Sequence, residues 1–332
     1  MRDAASAVLV AAVEGMVLTS EEERFFREEA PAGVTLFKRN IPQEDYTKLQ
    51  KLTADLQATR GNGQPPLVIA IDQEGGRVAR IGTPFPNLGP AMQLAGGGVD
   101  PSSLKSIEKY GATVGAELKR LGVNVDFAPV VDIFTEPSNV AIGDRCFGTT
   151  AEQVALRAGA FMDGLQGTAV LGCLKHFPGQ GDARVETHEG TAIIRASLQT
   201  LLTRELEPFR RLMPKAKMVM ISHSIFPAMC EREASRSQIV IMDWLRARLG
   251  FQGVVVSDDM NMGALPQEID AWKAALIDAV AAGCDMLLVC RHLERCKIAL
   301  EALRHESTKS PAFKSRLEDA AERVTKLRNF LF

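Results

Sequence analysis

Short apolar runs, many of them rich in β-branched residues, recur along the chain. They are separated by longer stretches in which apolar positions return every three or four residues. The short runs fall at 8–13 (or on to 17), 33–37, 67–71, 123–129, 170–174, 218–221, 254–256 and 286–289. Most are almost continuously apolar, as parallel strands covered on both faces should be. Between them, Tyr46, Leu49, Leu52 and Leu56 mark one helical stripe, and Leu104, Ile107, Val114, Leu118 and Leu121 another. A closing stripe comprises Phe313, Leu317, Ala320, Val324, Leu327 and Leu331. Ser20 followed by Glu21, Glu22 and Glu23 predicts a helix start, with acidic residues at the positive end of the dipole. Gly122, Gly250 and Gly253 stand where helices give way to strands. Strand–helix alternation implies a parallel sheet, and eight units favour a closed (β/α)8 barrel over an open doubly wound sheet. No stretch resembles an interdomain linker. The expectation is one barrel domain over 1–332, with a helix at about 313–331 packed on it.

Composition narrows the classes of partner. With 39 basic and 41 acidic residues the net charge is −2, which leaves no electrostatic footprint for nucleic acid or an anionic membrane. A neutral ligand, or one held by a few placed charges, fits better. The six cysteines show no CxxC or Cys/His spacing, so buried thiols in a reducing compartment are expected, without a zinc site. The apolar run 4–13 after Arg2 imitates a signal peptide, but Glu14 interrupts it and no small-residue cleavage site follows. It is read as part of the first strand, and the chain as cytoplasmic. No run approaches the ~20 apolar residues of a membrane span.

Polar residues collect after the strands. Asp72-Gln73-Glu74-Gly75-Gly76-Arg77-Val78-Ala79-Arg80 follows the third, and Asp132 and then Asp144-Arg145 follow the fourth. The fifth runs into Lys175-His176-Phe177-Pro178-Gly179-Gln180-Gly181-Asp182 and then Glu186-Thr187-His188. The sixth ends at Ser222-His223-Ser224 and the seventh at Ser257-Asp258-Asp259. A parallel barrel brings these ends to one face, where barrel enzymes keep their active sites. Each piece has a plainer rival. Asp258 and Asp259 suit a helix cap, His176 and His223 suit satisfied core histidines, and Arg145 suits a bridge to Asp144. Lys175, ending a buried strand, needs a partner or a ligand. Taken together, these deliveries predict an enzyme.

In order, the strings L-F-K-R-N at 36–40, I-D-Q-E-G-G-R-V at 71–78, N-V-D-F-A-P-V-V-D at 124–132, I-G-D-R-C-F-G at 142–148, K-H-F-P-G-Q-G-D at 175–182 and G-V-V-V-S-D-D-M-N-M-G-A at 253–264 resemble the β-N-acetylhexosaminidases of glycoside hydrolase family 3. The resemblance implies a retaining glycosidase that removes β-linked N-acetylglucosamine and needs no cofactor or metal. Asp258 falls on the nucleophile. Asp72, Arg80, Arg145, Lys175 and His176 fall on positions that hold the sugar hydroxyls and N-acetyl group, and His223 on a further pocket histidine. Glu186-Thr187-His188 occupies the place of an Asp-Ser-His segment, in which the histidine protonates the glycosidic oxygen and the carboxylate orients it. Such a dyad is chemically sound, because histidine titrates near neutrality and a carboxylate fixes its tautomer. The implied substrate is an N-acetylglucosaminyl-anhydromuramyl muropeptide of peptidoglycan recycling.

Two departures from that pattern stand out. Glu186 is one methylene longer than the aspartate, and Gln180 replaces the histidine of G-H-G. They leave three rival readings. One is a phosphorylase that uses phosphate in place of water. Another is a catalytically impaired N-acetylglucosamine-binding homologue. The third is a metal-dependent barrel hydrolase with His176, Glu186, His188 and Asp258 as ligands.

Overall fold

The computed structural model describes residues 3–42, 45–61, 63–183 and 190–331. Eight parallel strands close into a barrel: β1 (Leu9–Ala11), β2 (Gly33–Leu36), β3 (Val68–Ile71), β4 (Val125–Asp126), β5 (Leu171–Phe177), β6 (Met218–Ile221), β7 (Val254–Asp259) and β8 (Met286–Leu288). Each strand pairs with the next in sequence, and β8 returns to β1 through Leu9↔Leu287 and Val10↔Leu288. The predicted helical stripes lie in Tyr46–Ala58, Pro101–Arg120 and Pro311–Arg328, except that Leu121 caps the second and Leu331 falls beyond the end of the third.

Strand alternation sorts the core into two layers. Val68, Ala70, Cys173, Met218, Met220, Val254, Val256, Met286 and Leu288 point inward and fill the barrel. Leu67, Ile69, Leu174, Val219, Ile221, Val255 and Leu287 point outward under the helices. Because side chains alternate along a strand, the inward phase carried one step further reaches Asp72 after Ala70, Lys175 after Cys173 and Asp258 after Val256. The ionisable groups are the top inward layer of the barrel. At the other end, Val324 and Leu327 of the helix Pro311–Arg328 join the interior cluster and close it from below.

Several boundaries differ from expectation. Residues Ala4–Val8 form a helix, not the start of β1. The Asp3 side chain caps it by accepting from Ala5 N, and the segment is mostly alanine, the best helix former. The next helix, Ser20–Glu28, is capped by Thr19. Thr19 Oγ1 accepts from Glu22 N while Glu22 Oε2 accepts from Thr19 N, so the hydroxyl–glutamate pair three apart sits one residue earlier than Ser20. Two hairpins not foreseen from the sequence sit on the upper rim: Gln73–Gly75 with Val78–Ala79, and Ile225–Phe226 with Cys230–Glu233. Ile239–Arg248 is wound as a π-helix, so a 3.6-residue period describes it poorly. All six cysteines are buried and unpaired, as expected of structural thiols.

The lower end is tied by charge. Asp285, fully buried at the start of β8, accepts from Arg246, from Arg316 at 2.6 Å and from Arg323 at 3.3 Å, as well as from Val255 N at 3.0 Å. Arg316 and Arg323 belong to the last helix, so this carboxylate binds that helix to β7 and β8. Asp285→Ala strands these guanidiniums and should cost about 3–5 kcal/mol in urea unfolding. Activity per folded molecule should be unchanged, because the cluster lies at the end opposite the mouth.

Candidate active site

The upper strand ends surround a cavity of about 410 Å3 whose wall includes Asp72, Glu74, Arg80, Arg145, Lys175, His176, Gln180, His223 and Asp258. A larger hollow of about 510 Å3 lies at the barrel's base, near Lys217, Gly250 and the last helix. Its lining has no carboxyl, imidazole, hydroxyl or thiol side chain, whereas the upper cavity is lined by carboxyl, imidazole and hydroxyl groups.

One wall is an ion cluster. Lys175 Nζ lies 2.9 Å from Asp72 Oδ1 and 2.6 Å from Glu74 Oε1. Arg80 reaches Asp72 Oδ2 at 2.9 Å, and Arg145 holds both Glu74 oxygens, at 2.7 and 2.8 Å. Lys175 is 1% exposed. Burial alone would raise the Asp72 carboxyl, but Lys175 and Arg80 override it and hold it well below its ordinary range. Burial alone would likewise lower Lys175, and Asp72 and Glu74 hold it well above. The result is a fixed array of charged donors and acceptors facing the cavity, suited to a neutral ligand rich in hydroxyls.

The loops that carry this cluster are themselves pinned. The Gln73 side-chain oxygen accepts from Arg80 N and Ile81 N, which folds the hairpin back. Positive φ at Gly75 (94°) and Gly76 (56°) makes that return possible, and a Cβ on Gly75 would lie 2.8 Å from Gly89 O. Arg77 donates to the carbonyls of Val140, Ala141 and Ile142, fastening the loop after β4 to the hairpin.

The opposite wall carries Asp258. Asp258 Oδ1 accepts from Asp259 N at 2.8 Å. His223 Nε2 lies 3.2 Å from Asp259 O, an obligate acceptor, so Nε2 carries the proton and Nδ1 accepts from Ser235 Oγ at 2.7 Å. Burial pushes His223 below its ordinary value and keeps it neutral, against the pull of Asp258. His176 Nδ1 donates to Asp132 Oδ2 at 2.7 Å, and Asp132 Oδ1 also accepts from Gln180 N at 2.8 Å. Asp132 thus fixes both the imidazole and the turn after β5.

Two further acids sit beneath this surface. Asp126 is fully buried. Its Oδ1 accepts from Gln73 N at 2.9 Å, and its Oδ2 has no partner among the described residues. Burial raises it to about 7, with Asp72 and Glu74 adding and Gln73 N–H and Lys175 opposing. Glu205, under Gly179, is raised to about 7 by burial despite Arg204, with Asp132 and Asp182 adding.

These contacts decide between the rival readings of single residues. Arg145 pairs with Glu74, while Asp144 is taken by Arg77. The helix after β7, Ile269–Ala282, is capped by Glu268, so Asp258 and Asp259 are not its cap. Of the expected site residues, Asp72, Arg80, Arg145, Lys175, His176, His223 and Asp258 line one cavity. Glu186 and His188 lie outside the described residues. Among the described residues no group of three or more His, Cys, Asp or Glu is placed to hold a metal ion. No described helix is long and apolar enough to cross a membrane. Sequence reasoning left Glu74 and Asp132 out of the site, although both stand in the strings that carried the resemblance. Asp126 stands in one of those strings too, but Glu205, on a helical segment, had no such signal.

Comparison with known proteins agrees with this geometry. Residues 10–327 match the family described as glycosyl hydrolase family 3 N terminal domain. The chain belongs to glycosyl hydrolase family 3. Among its family 3 relatives, the beta-hexosaminidase of Nitrosomonas eutropha is 37% identical over 298 residues, covering 89% of this chain and 83% of that one. The beta-hexosaminidase of Stenotrophomonas maltophilia is 36% identical over 310 residues, covering 92% and 89%. A family 3 β-N-acetylglucosaminidase of a Paenibacillus species superposes with a TM-score of 0.89 at 31% identity, over 99% of this chain. The chain spans 63% of that longer enzyme. NagZ from Neisseria gonorrhoeae, in complex with N-trifluoroacetyl-D-glucosamine, gives a TM-score of 0.79 at 27% identity, over 95% and 97%.

Two outcomes are expected for this family 3 site. Lys175→Met leaves Asp72 and Glu74 without their shared ammonium and should cost about 3–5 kcal/mol in urea unfolding; a loss under about 1 kcal/mol would show that the ammonium is dispensable. Asp126 is raised on folding, from 3.8 to about 7. The unfolded chain therefore ionises first as pH rises, and the folded state is progressively penalised between those values. Asp126→Asn removes this penalty, so its melting temperature relative to wild type should climb from pH 4 to pH 7. A pH-independent difference would contradict the assignment.

Proposed function

We propose that the chain, acting over 1–332 as one catalytic barrel, is a β-N-acetylhexosaminidase that releases β-linked N-acetylglucosamine with retention, through a glycosyl intermediate on Asp258. The observation that carries the reading is the juxtaposition, in one cavity, of Asp258 with the ion cluster of Asp72, Glu74, Arg80, Arg145 and Lys175. The similarity to enzymes named beta-hexosaminidase over most of both chains supports the same reaction class.

In this mechanism the ion cluster and His176 receive the sugar hydroxyls and the N-acetyl group. Asp72 accepts hydrogen bonds, and Lys175, Arg80 and Arg145 donate them. Asp258 attacks the anomeric carbon as the glycosidic bond breaks, and His188, oriented by Glu186, gives its proton to the departing oxygen. In the second step His188 takes a proton from water, the hydroxide oxygen bonds to the anomeric carbon, and the Asp258 ester is released. Asp258 ends a strand and one of its oxygens is held by Asp259 N, so it is positioned before substrate arrives. A muropeptide bearing N-acetylglucosamine on anhydromuramic acid, processed in the cytoplasm during peptidoglycan recycling, is the substrate this reading assigns.

The test is release of 4-nitrophenol from its β-N-acetylglucosaminide, with phosphate present and absent. Asp258→Ala should lower kcat by ~10^4-fold or more. His188→Ala should lose less on this good leaving group and recover part of its rate with added azide. Accumulation of N-acetylglucosamine 1-phosphate would replace hydrolysis by phosphorolysis. Wild type that binds N-acetylglucosamine without turnover on this glycoside or on muropeptides would overturn the enzymatic reading.

A further inference from the structure

Gln180 sits in the turn after β5, in the wall of the upper cavity. Its polar atoms are almost all committed. The backbone N–H donates to Asp132 Oδ1 at 2.8 Å, and the carbonyl accepts from Asn139 Nδ2 at 2.8 Å. The side-chain oxygen accepts from Ser222 Oγ at 2.8 Å and from Ser224 Oγ at 3.1 Å.

Ser222 Oγ accepts from Ser224 N at 2.9 Å and gives its one proton to Gln180, and Ser224 Oγ donates to the same oxygen. The oxygen faces the serines, and the NH2 takes the other side. Among the described residues that NH2 is the one polar group of Gln180 with no partner. Two donors held in a fixed direction at a cavity wall, without an acceptor among the described residues, are a recognition element for a ligand oxygen.

We infer that Gln180 is a substrate-positioning residue whose amide NH2, aimed by Ser222 and Ser224, donates to an oxygen of the bound N-acetylhexosaminide. This rests on the reading of the cavity as a glycoside site. The contact is independent of pH, because an amide does not titrate, whereas the histidine of the family pattern would.

The inference is tested by kcat and KM, taken separately, on 4-nitrophenyl β-N-acetylglucosaminide, by calorimetric binding of N-acetylglucosamine, and by melting temperature. The variants are Gln180→Glu and Gln180→Met. Glutamate keeps an oxygen for the serines and replaces the donors by an acceptor, whereas methionine removes both ends. Both should raise KM about 3- to 10-fold, as loss of one hydrogen bond to a neutral ligand predicts, with the KM change exceeding the kcat change. Weaker binding of free N-acetylglucosamine assigns the oxygen to that sugar. Unchanged binding with raised KM assigns it to the leaving group, and either supports the proposal. Wild-type KM in Gln180→Glu beside a raised KM in Gln180→Met would show that only the serine-facing oxygen matters and would overturn it. Lowered melting temperatures with unchanged KM in both variants would do the same. Wild type that neither binds nor turns over defeats the glycosidase reading itself, a result distinct from these.

Discussion

The upper half of this barrel depends on one buried ammonium. Lys175 stands on the inward face of β5, out of water, and its charge is tolerable only because Asp72 and Glu74 meet it at hydrogen-bond distance. Those two carboxylates come from the end of β3 and the hairpin beyond it, and they in turn hold Arg80 and Arg145. A single charge therefore draws β3, β5 and the loop after β4 into one arrangement. Such a cluster is weak evidence for stability, since each ion has lost its hydration. Its value lies in orientation: donors and acceptors are already aligned before a ligand enters the cavity, so little reorganisation need accompany binding.

A second level of fixation lies behind the cluster. Asp132 bonds the His176 ring and the Gln180 amide together, Asn139 joins the loops after β4 and β5, and the Asp259 carbonyl sets the tautomer of His223. None of these groups carries the chemistry of a glycosidase. They decide which lone pairs and which protons face the cavity. Asp126 and Glu205 differ from them, because their carboxyls are held close to their charging point by burial rather than by a partner.

Much of this was legible from residue order. Near-continuous apolar runs betrayed parallel strands, and the alternation within them explains why Asp72, Lys175 and Asp258 share a direction. What the sequence concealed was pairing across distance. Arg145 has Asp144 beside it in the chain, yet its partner is Glu74, 71 positions away, because the folded hairpin brings that carboxylate to it and Arg77 occupies Asp144. The Gln180 substitution read as a simple loss of a titratable group until Ser222 and Ser224, two residues of β6's loop, were seen to aim its amide. Local rules also misplaced a small feature. Alanine-rich residues behind an aspartate made a helix where an apolar run suggested strand. The helix expected at Ser20 does begin there, with Thr19 and Glu22 as its capping pair.

The closure of the barrel has a consequence for how the chain is made. β1 finds its second neighbour only in β8, through Leu9↔Leu287, and the interior is sealed from below by Val324 and Leu327. On a ribosome delivering roughly 5–20 residues per second, β1 emerges many seconds before either. Throughout that interval the growing sheet has an open edge and an unplugged interior. Synthesis must pass Leu327 before cooperative folding can finish, so until then the nascent polypeptide presents a surface that other molecules can adhere to.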